Sequence, residues 1–435
     1  MKKYILIQLL IVGMLTSAGY SQVPVPVKPQ EKPVLLVGAT AHLGNGDIIE
    51  NSAIGFDEGK LTIIGSAAEA GRPSGYEVID VSGKEIYPGF ILPNSEVGLS
   101  EVASVRAMRD DNETGSINPN VRSVISYNTD SEMIPTFRFN GILLAESTPR
   151  GGLISGTSSV MEMEGWNWED AAHTVDVGIH MNWPNKTRRR FDFNTFTVST
   201  QPNQNYKEEI SELKKHFQDA LAYGKMPAKE MNLKMESMQG LFSGNKILFI
   251  HANQADEIVE AINFAKENGV NKITLITAEE ALHVIDFLKE NEIPVIIPPT
   301  HSLPARADEP IDRPYELPYL LTQAGIPVSF FHDDDLANAR NLPFYAGTAV
   351  AYGMKKEEAL KTITSNAARA LGIEDRVGTL EVGKDATLFV SEGDALDIRT
   401  NILSHAFISG KHIVLDNKQQ ALYKRFSEKY GHETK

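Results

Sequence analysis

Residues 87–96 read YPGFILPNSE and separate two patterns in a chain of 435 residues. Before them, residues 33–87 contain short apolar runs divided by turn signals, which is typical of β-strands. After them, apolar runs of strand length alternate with stretches of helical periodicity. Strands that alternate with helices predict parallel βαβ units, and about eight of them over roughly 290 residues predict an α/β fold with a closed (β/α)8 TIM-like barrel.

The end of the chain returns to short strands. We expect the strands of both chain ends to pair into one small β-sandwich beside the barrel. The expected domains are a signal peptide (1–21), a linker (22–32), a β-sandwich (33–87 and 378–415), a barrel (88–377) and a C-terminal helix (416–435).

The first residues have the pattern of an export signal. Lys2 and Lys3 precede an apolar run from Tyr4 to Leu15, and small residues then lead to Gln22. The run is too short to be a stable membrane span. The chain has no cysteine, which excludes disulfides and thiolate ligands. We therefore expect an exported protein, periplasmic or secreted.

Composition and charge narrow the classes of partner. A hydrophobic content of 42% and a charged content of 23% are typical of a globular protein. The net charge of −15 argues against binding to a nucleic-acid backbone, which needs an excess of Lys and Arg. We expect a small-molecule substrate and no nucleic acid.

Several motifs resemble one enzyme family. They are DVSGK at 80–84, YPGFI at 87–91, NARNLP at 338–343, TSNAA at 364–368 and GTLEVGKDA at 378–386. With them the chain resembles the amidohydrolase superfamily, specifically its imidazolonepropionase-like branch, over nearly the whole mature length. The resemblance implies a barrel enzyme in which one or two divalent metals activate water to attack an amide, lactam or related C–N bond.

The resemblance also implies metal ligands at the strand ends. In the family these are two His after strand one, a carboxylated Lys or Glu in mid-barrel, one His each after strands five and six, and an Asp after strand eight. In this chain the two strand-one positions read Asn94 and Glu96, so both His are replaced. The expected metal ligands are Glu96, Glu162, His251, Glu279 and Asp333, with Asp334 as the alternative for the last position. Carboxylates suit Mn²⁺ or Mg²⁺ better than Zn²⁺, so the identity of the metal stays open among these three.

Roles follow from these positions. Asp333 or Asp334 would deprotonate a bound water, and His251 would bind the metal or polarise the carbonyl. The alternative roles are helix capping for the Asp and a structural hydrogen bond for His251. For Glu162 and Glu279 the alternatives are a solvent-facing strand carboxylate and an ordinary first-turn Glu. The expected substrate-binding residues are Gly151, Gly152, Ser155 and His301; His180 is expected to be structural.

Two hypotheses remain. The first is an exported hydrolase of C–N bonds with an altered, carboxylate-rich metal site. The second is a catalytically inactive relative without metal, which acts as a binding module or as partner subunit of an active homologue. The missing His pair favours the second hypothesis, and the retained His251 and terminal Asp favour the first. A homo-oligomer is compatible with both.

Overall fold

A computed structural model describes residues 25–432 apart from 72, 194, 228, 229, 307 and 333–335. The predicted signal peptide and both candidate aspartates, Asp333 and Asp334, lie outside the described residues. Within them, the strands form an eight-stranded sheet, sheets of six and four strands, and a two-stranded hairpin. No helix in the described part of the chain combines the length and apolar character needed to cross a membrane.

The strands and helices are numbered in chain order. The strands are β1 (Val34–Val37), β2 (Thr40–His42), β3 (Ile48–Ile49), β4 (Ser52–Asp57), β5 (Lys60–Ser66), β6 (Glu77–Asp80), β7 (Glu85–Pro88), β8 (Phe90–Ser95), β9 (Ile142–Ser147), β10 (Ile154–Glu162), β11 (Ala172–Asn182), β12 (Thr187–Asp192), β13 (Thr197–Pro202), β14 (Ile247–Ala252), β15 (Ile273–Thr277), β16 (Val295–Ile297), β17 (Val328–Phe330), β18 (Leu388–Ser391), β19 (Leu403–Ile408) and β20 (Lys411–His412). The helices are α1 (Ala67–Ala70), α2 (Ser123–Ser126), α3 (Met133–Arg138), α4 (Trp168–Ala171), α5 (Tyr206–Gly224), α6 (Leu233–Ser243), α7 (Ala255–Glu267), α8 (Ile285–Glu290), α9 (Arg313–Gln323), α10 (Leu342–Ala351), α11 (Lys356–Lys361), α12 (Ser365–Leu371) and α13 (Lys418–Tyr430).

The large sheet is a nearly closed barrel with the strand order β17-β16-β15-β14-β11-β10-β9-β8. Neighbouring strands are parallel except at β10, which runs antiparallel to both β9 and β11. The chain around α12 bridges the two edge strands: Ile91 N donates to Ile363 O at 2.9 Å, and Asn366 Nδ2 donates to Val328 O at 3.0 Å. The predicted TIM-like barrel is confirmed.

Apolar side chains fill the lower half of the barrel. Side chains alternate between the two faces of a strand, so every second residue points inward. The inner layer and the helix α12 beneath it share one cluster, which includes Ile91, Leu144, Val160, Ile247, Phe249, Ile276, Ile296, Ala367 and Leu371. The polar residues that face the inside of the barrel lie in its upper half, toward the carboxyl ends of the parallel strands.

The two chain ends meet in one sheet, as the sequence predicts. The six-stranded sheet has the order β20-β19-β18-β7-β2-β3, in which β18 pairs with β7 through Phe389 and Tyr87. The four-stranded sheet β5-β4-β1-β6 packs beside it through Leu36, Phe56 and Leu388. Because β7 ends at Pro88 and β8 begins at Phe90, the chain passes directly from this sheet into the barrel.

The Gly- and Ser-rich segment from Gly151 to Ser159 has the composition of a loop, yet most of it belongs to β10, which begins at Ile154. Its small residues permit close packing of the segment before α2. A Cβ at Gly156 would lie 2.6 Å from Val121 O, and Thr157 N donates to the same oxygen at 2.7 Å. A residue composition typical of loops thus belongs here to a strand against which another segment is tightly packed.

Candidate functional site

Two histidines meet on neighbouring strands inside the barrel. His180 on β11 and His251 on β14 lie with Nδ1 and Nε2, respectively, 2.9 Å apart. In the parallel register His180 is opposite Phe249 and Asn182 is opposite His251, so the two imidazoles are diagonal neighbours. Phe249 stacks on His180 with ring centroids 4.5 Å apart, which fixes the plane of that ring. The pair therefore lies directly on the apolar layer.

A buried carboxylate continues this network. Glu146 Oε1 on β9 lies 3.1 Å from His180 Nε2, and the Ser158 hydroxyl on β10 donates to the same oxygen at 2.6 Å. The backbone N–H of Asn94 on β8 donates to Oε2 at 2.8 Å. Glu146, Ser158 and His180 are each fully buried. One hydrogen-bonded row thus connects five strands, from β8 to β14.

The charges in this row determine which atoms carry protons. Burial raises the pKa of Glu146, but His180, Ser158 and the Asn94 amide together lower it below its ordinary value. Burial lowers the pKa of His180, and it lowers that of His251 strongly, with further lowering by the charge that His180 would carry when protonated and by the charge of Arg150. The favoured state near neutral pH is an ionised Glu146 beside two neutral imidazoles.

An ionised carboxylate only accepts hydrogen bonds, so the Nε2 of His180 carries the ring proton. The Nδ1 of His180 then accepts from the Nε2–H of His251. This leaves a free lone pair on Nδ1 of His251. The hydrogen bonds to His180 and from there to Glu146 orient the ring, as is typical of a general base.

His251 also lines a cavity of about 350 Å³ at the carboxyl ends of the strands. The other lining residues are Asn94, Glu96, Arg109, Asp111, Asn112, Arg150, Thr277 and Phe331. This is the end of a TIM barrel at which active sites are found. The cavity wall is strongly polar, so we expect a small, polar ligand.

Arg150, in the loop after β9, binds the two strand-one positions. Its Nε donates to Glu96 Oε1 at 2.9 Å and its Nη1 to Asn94 Oδ1 at 2.5 Å. Its Nη2 donates to the backbone oxygen of Asn94 at 2.9 Å. Arg109 makes a separate pair with Asp111, with Nε–Oδ1 and Nη2–Oδ2 distances of 3.2 and 3.0 Å. Each arginine in the wall is thus matched by a carboxylate.

Three residues at the strand ends have left-handed backbone conformations. Asn94, Thr277 and Ala278 have φ values of 48°, 77° and 47°. Thr277 is the most unusual of the three because a β-branched side chain is rare at positive φ. Such strain persists where surrounding contacts hold the backbone, and it is common beside functional sites.

The structure brings together two of the predicted metal ligands, Glu96 and His251, which line the same cavity. Glu162 requires a correction. Because β10 runs against its neighbours, its last residue lies at the lower end of the barrel, opposite Leu144. There Glu162 accepts a hydrogen bond from Ser409 Oγ and pairs with Lys411 at 3.5 Å.

Glu279 and His301 also lie away from this cavity. Glu279 exchanges two hydrogen bonds with Asn253, each 3.1 Å long, and borders neighbouring cavities of the barrel mouth. His301 Nε2 lies 2.7 Å from Thr348 Oγ1 and lines a different cavity of about 510 Å³. The loops after β15 and β16 therefore do not place these side chains beside His251.

The expected substrate-binding residues after β9 do not line the cavity themselves but pack near residues of its wall. Gly151 has φ 82°, and a Cβ there would lie 2.4 Å from Oδ1 of Asn112, a residue of the cavity wall. Gly152, also at positive φ, packs against the Ser116 backbone. Ser155 is buried and accepts a hydrogen bond from Asn182 Nδ2 at 3.0 Å. The glycines thus let the chain pass close behind the cavity. The catalytic and metal-binding roles of Asp333 and Asp334 remain predictions.

Sequence reasoning did not find the residues of the buried row Glu146, Ser158 and His180, nor Arg150 in the cavity wall. A signal for two of them was available, since Glu146 and His180 are ionisable residues within apolar strand sequences. Ionisable groups are rarely buried unless paired, so their position indicated a network. Arg150 and Ser158 carried no comparable local signal.

The described residues do not fit the metal site that the resemblance implies. Among the described residues, no group of three or more His, Asp or Glu side chains is arranged to hold an ion. More directly, the two strand-one positions are bound by the guanidinium of Arg150, whose fixed positive charge repels a divalent cation at the same oxygens. No step of the chemistry below is therefore assigned to a metal.

Comparisons with known proteins agree with this fold. The model of the amidohydrolase family matches residues 245–419. The imidazolonepropionase of Thermoplasma volcanium is 38% identical over 86 residues, 19% of this chain and 21% of that protein. That of Syntrophobacter fumaroxidans is 37% identical over 94 residues, 21% of this chain and 22% of that protein. The chain thus spans about a fifth of the length of these curated relatives.

Solved structures extend the likeness over most of the chain. An amidohydrolase from Thermotoga maritima superimposes with a TM-score of 0.75 at 24% identity, covering 88% of this chain and 99% of that one. A molinate hydrolase gives a TM-score of 0.54 at 15% identity, with coverages of 89% and 95%. These two likenesses establish the fold. Residues 245–419 thus match the amidohydrolase family, and the chain as a whole shares the fold of solved amidohydrolases.

Proposed function

We propose that this protein hydrolyses a C–N bond of the amide or lactam type at the cavity beside His251. The observation that carries the proposal is the row from Glu146 through His180 to His251, which ends at a cavity at the active end of an amidohydrolase-superfamily barrel. The matched relatives named imidazolonepropionase support a C–N bond as the target.

In the proposed reaction His251 acts as the base. Its Nδ1 takes a proton from water while the water oxygen forms a bond to the carbonyl carbon. The imidazolium then returns the proton to the leaving nitrogen as the C–N bond breaks, which yields a carboxylic acid and an amine. Glu146 and His180 orient the ring of His251 and stabilise its charged form, as the third member of a catalytic triad does.

The cavity supports a compact, polar substrate. A volume of about 350 Å³ admits a small molecule, and the wall includes Arg109, Arg150, Asp111 and Glu96. We propose a small cyclic amide, such as an imidazolone, a lactam or a cyclic imide. Superfamily members usually bind divalent metals, so the assays below are run with and without added Zn²⁺, Mn²⁺ and Mg²⁺.

The test is hydrolysis of a panel of cyclic amides, followed by mass spectrometry of the opened product. His251→Ala should lower kcat about 10²- to 10⁴-fold, because the general base is lost. His405→Ala is the matched control, since His405 lies beside His412 on β19, a strand of the six-stranded sheet and not of the barrel. Turnover by His251→Ala at the wild-type rate would remove His251 from the mechanism.

A second candidate is a non-catalytic relative that acts as a binding module or as the partner subunit of an active homologue. Arg150 favours it, because its guanidinium binds Asn94 and Glu96 where the family has metal ligands. This candidate predicts that a panel compound raises the Tm of the wild-type protein while no product forms with any of the three metals. Ring opening of one compound would exclude it.

We also propose that the protein acts outside the cytoplasm. Lys2, Lys3 and the apolar run that follows support removal of residues 1–21 during export. The intact mass of protein recovered from periplasm or medium checks this proposal. We expect the mass of a chain that begins at Gln22. The mass of the full-length chain in the cytoplasmic fraction would contradict export.

A further inference from the structure

We propose that Arg150 is the built-in cation of this site. Its guanidinium excludes a divalent ion from Asn94 and Glu96 and donates to the carbonyl oxygen of the bound amide. The second half of this inference rests on the proposed function, whereas the first half concerns metal binding alone and is tested without a substrate.

The contacts of Arg150 fix its position. Three donor groups of the guanidinium are used, one at Nε toward Glu96 and one at each Nη toward Asn94. The backbone holds the same residue, since Arg150 N donates to Asp111 O at 2.6 Å. The side chains of Arg150 and Glu96 are only 21% and 30% exposed, so this pair is shielded from solvent on most sides. The guanidinium is therefore a preorganised charge in the cavity wall.

The oxygens that Arg150 binds are those a metal at this end of β8 would need. Asn94 contributes Oδ1 and its backbone oxygen, and Glu96 contributes Oε1. A guanidinium stays protonated in proteins, so its charge is not removed by a pH change in the range in which the protein is folded. A divalent ion could reach these oxygens only by displacing Arg150 against its charge.

The guanidinium keeps two further donors. Arginine has five N–H groups, and three are used here, which leaves one N–H on each Nη. Arg150 and His251 line the same cavity. A carbonyl oxygen bound by these donors gains negative charge as water attacks the carbonyl carbon, and a fixed cation stabilises that charge without rearrangement.

Arg109 offers a matched control. It lines the same cavity and carries the same charge, but its hydrogen bonds go to Asp111, and only its charge, without a hydrogen bond, acts on Glu96. Arg109→Ala removes a cavity charge and leaves the strand-one oxygens bound. Arg150→Ala removes an equal charge and frees them.

The first experiment measures metal, not activity. Wild-type protein, Arg150→Ala and Arg109→Ala are stripped with a chelator, titrated with Zn²⁺ and Mn²⁺ by calorimetry, and analysed for bound metal by mass spectrometry. We expect Arg150→Ala to bind a divalent ion at least about tenfold more tightly than the wild type and Arg109→Ala, because only the first variant loses the charge at these oxygens. Tight binding of one ion per chain by the wild type, unchanged in Arg150→Ala, would overturn the inference.

Two variants cover a failure of Arg150→Ala to fold, which circular dichroism would report. Arg150→Lys keeps the charge and should exclude metal like the wild type, whereas Arg150→Gln loses it and should gain the ion. Equal metal affinity of these two variants would contradict a role for the charge.

The kinetic half uses a substrate from the panel. Arg150→Lys should lower kcat about 10²-fold with little change in KM, because a lysine cannot reproduce the fork of donors that meets the developing oxyanion. A change in KM alone would assign Arg150 to substrate binding and overturn the catalytic half. If no compound is hydrolysed by the wild type, the proposed function fails, while the metal titrations still decide the exclusion of metal.

Discussion

At the scale of single residues, Glu146 controls the protonation of His251 across an intervening imidazole. Its carboxylate fixes the proton of His180 on Nε2, and the contact between His180 and His251 transmits this choice to the outer ring. None of these atoms needs to touch a substrate. Glu146 and His180 are therefore positioning residues, and the effect of their substitution should appear in the state of His251.

Glu146→Gln tests this coupling. With its oxygen facing the Asn94 amide, the new side chain presents NH₂ to His180, which would move the His180 proton to Nδ1 and protonate the catalytic nitrogen of His251. We expect kcat to fall about 10²- to 10⁴-fold, by analogy with exchange of a triad carboxylate for an amide. Ser158→Ala keeps the carboxylate but removes a hydroxyl that donates to Glu146 and lies 2.9 Å from His180 Nε2, so it should cost about tenfold or less. Equal losses in the two variants would argue against tautomer control.

The pH dependence of activity follows from the same ring. Burial, followed by the nearby charges of His180 and Arg150, lowers the pKa of His251 well below its ordinary 6.5. The neutral, basic form is therefore retained as the pH falls through 6.5 and is lost only at lower pH. We expect kcat/KM of the wild type to stay constant through pH 6.5 and to decline below it. A half-maximal value at or above 6.5 in a pH–rate profile would contradict the assignment of His251 as the base.

At the scale of elements, the direction of β10 organises the site. The strand is antiparallel to β9 and β11, so its first half lies at the cavity end of the barrel and its last residue lies at the opposite end. Ser158 consequently reaches Glu146, while Glu162 faces the small sheet around Ser409. If β10 were parallel to its neighbours, Glu162 would lie at the cavity end and Ser158 nearer the opposite end.

The contact between β11 and β14 depends on a residue without a side chain. A Cβ at Gly178 would lie 2.4 Å from the ring of Phe249 and 2.5 Å from Ile247 O. Gly178→Ala should lower the free energy of unfolding by about 1–3 kcal/mol, because the strands or the ring must shift. Since Phe249 stacks on His180, the variant should also lose activity.

The control for this prediction is Gly65→Ala on β5, where an added Cβ meets no atom within 4 Å. It should change stability by no more than about 0.5 kcal/mol. Chemical denaturation of both variants measures the difference. An equally stable Gly178→Ala would show that the barrel accommodates the methyl group without strain.

At the scale of the whole molecule, a buried histidine joins the small sheets to the barrel helices. His42 on β2 lies 2.8 Å from Glu357 Oε1 on α11 and 3.3 Å from Glu85 Oε2 on β7. It also stacks on Tyr87, with ring centroids 4.5 Å apart. This cluster connects a strand from the start of the chain with a helix near its end.

The cluster predicts a pH window for stability. Burial lowers the pKa of His42, but Glu357 and Glu85 raise it above 6.5, so this stabilisation is complete below 6.5 and is lost as the pH rises through the folded value. The hydrogen bond with His42, opposed by burial and reinforced by Tyr87 and Lys356, lowers the pKa of Glu85 to about 2. This stabilisation is therefore complete above pH 4.5 and is lost as the pH falls toward 2. The junction is most stable between 4.5 and 6.5.

His42→Phe tests this window, because it keeps a ring on Tyr87 and removes the charge. We expect a loss of about 2 kcal/mol near pH 6, where the wild-type His42 is charged, and a smaller loss at pH 9. Chemical denaturation at both pH values gives the comparison, and His405→Ala serves as a control at a half-buried histidine of β19 that contacts His412. A loss that is the same at both pH values would show that packing, and not charge, joins the two parts.

The sequence predicted much of the fold but only part of the site. Periodicity located the helices and most barrel strands, since both signals are local. It placed His251 at a strand end, where its side chain lines the cavity. It did not find β11 or the hairpin of β12 and β13, although β11 is the longest strand described. Polar residues interrupt the apolar pattern of β11: His180 belongs to the buried row, whereas His173 pairs with Asp385 and Asp176 with Arg122.

The sequence by itself determined the alternation of strands and helices, the pairing of both chain ends in one sheet and the likeness to the amidohydrolases. These properties rest on short stretches of residues, each of which carries its own pattern. Only the tertiary structure decided the direction of β10, the place of Glu162 and the contacts of Arg150 with Asn94 and Glu96. The physical reason is that the direction of a strand and the partner of a charge depend on residues distant in sequence, which no local pattern contains.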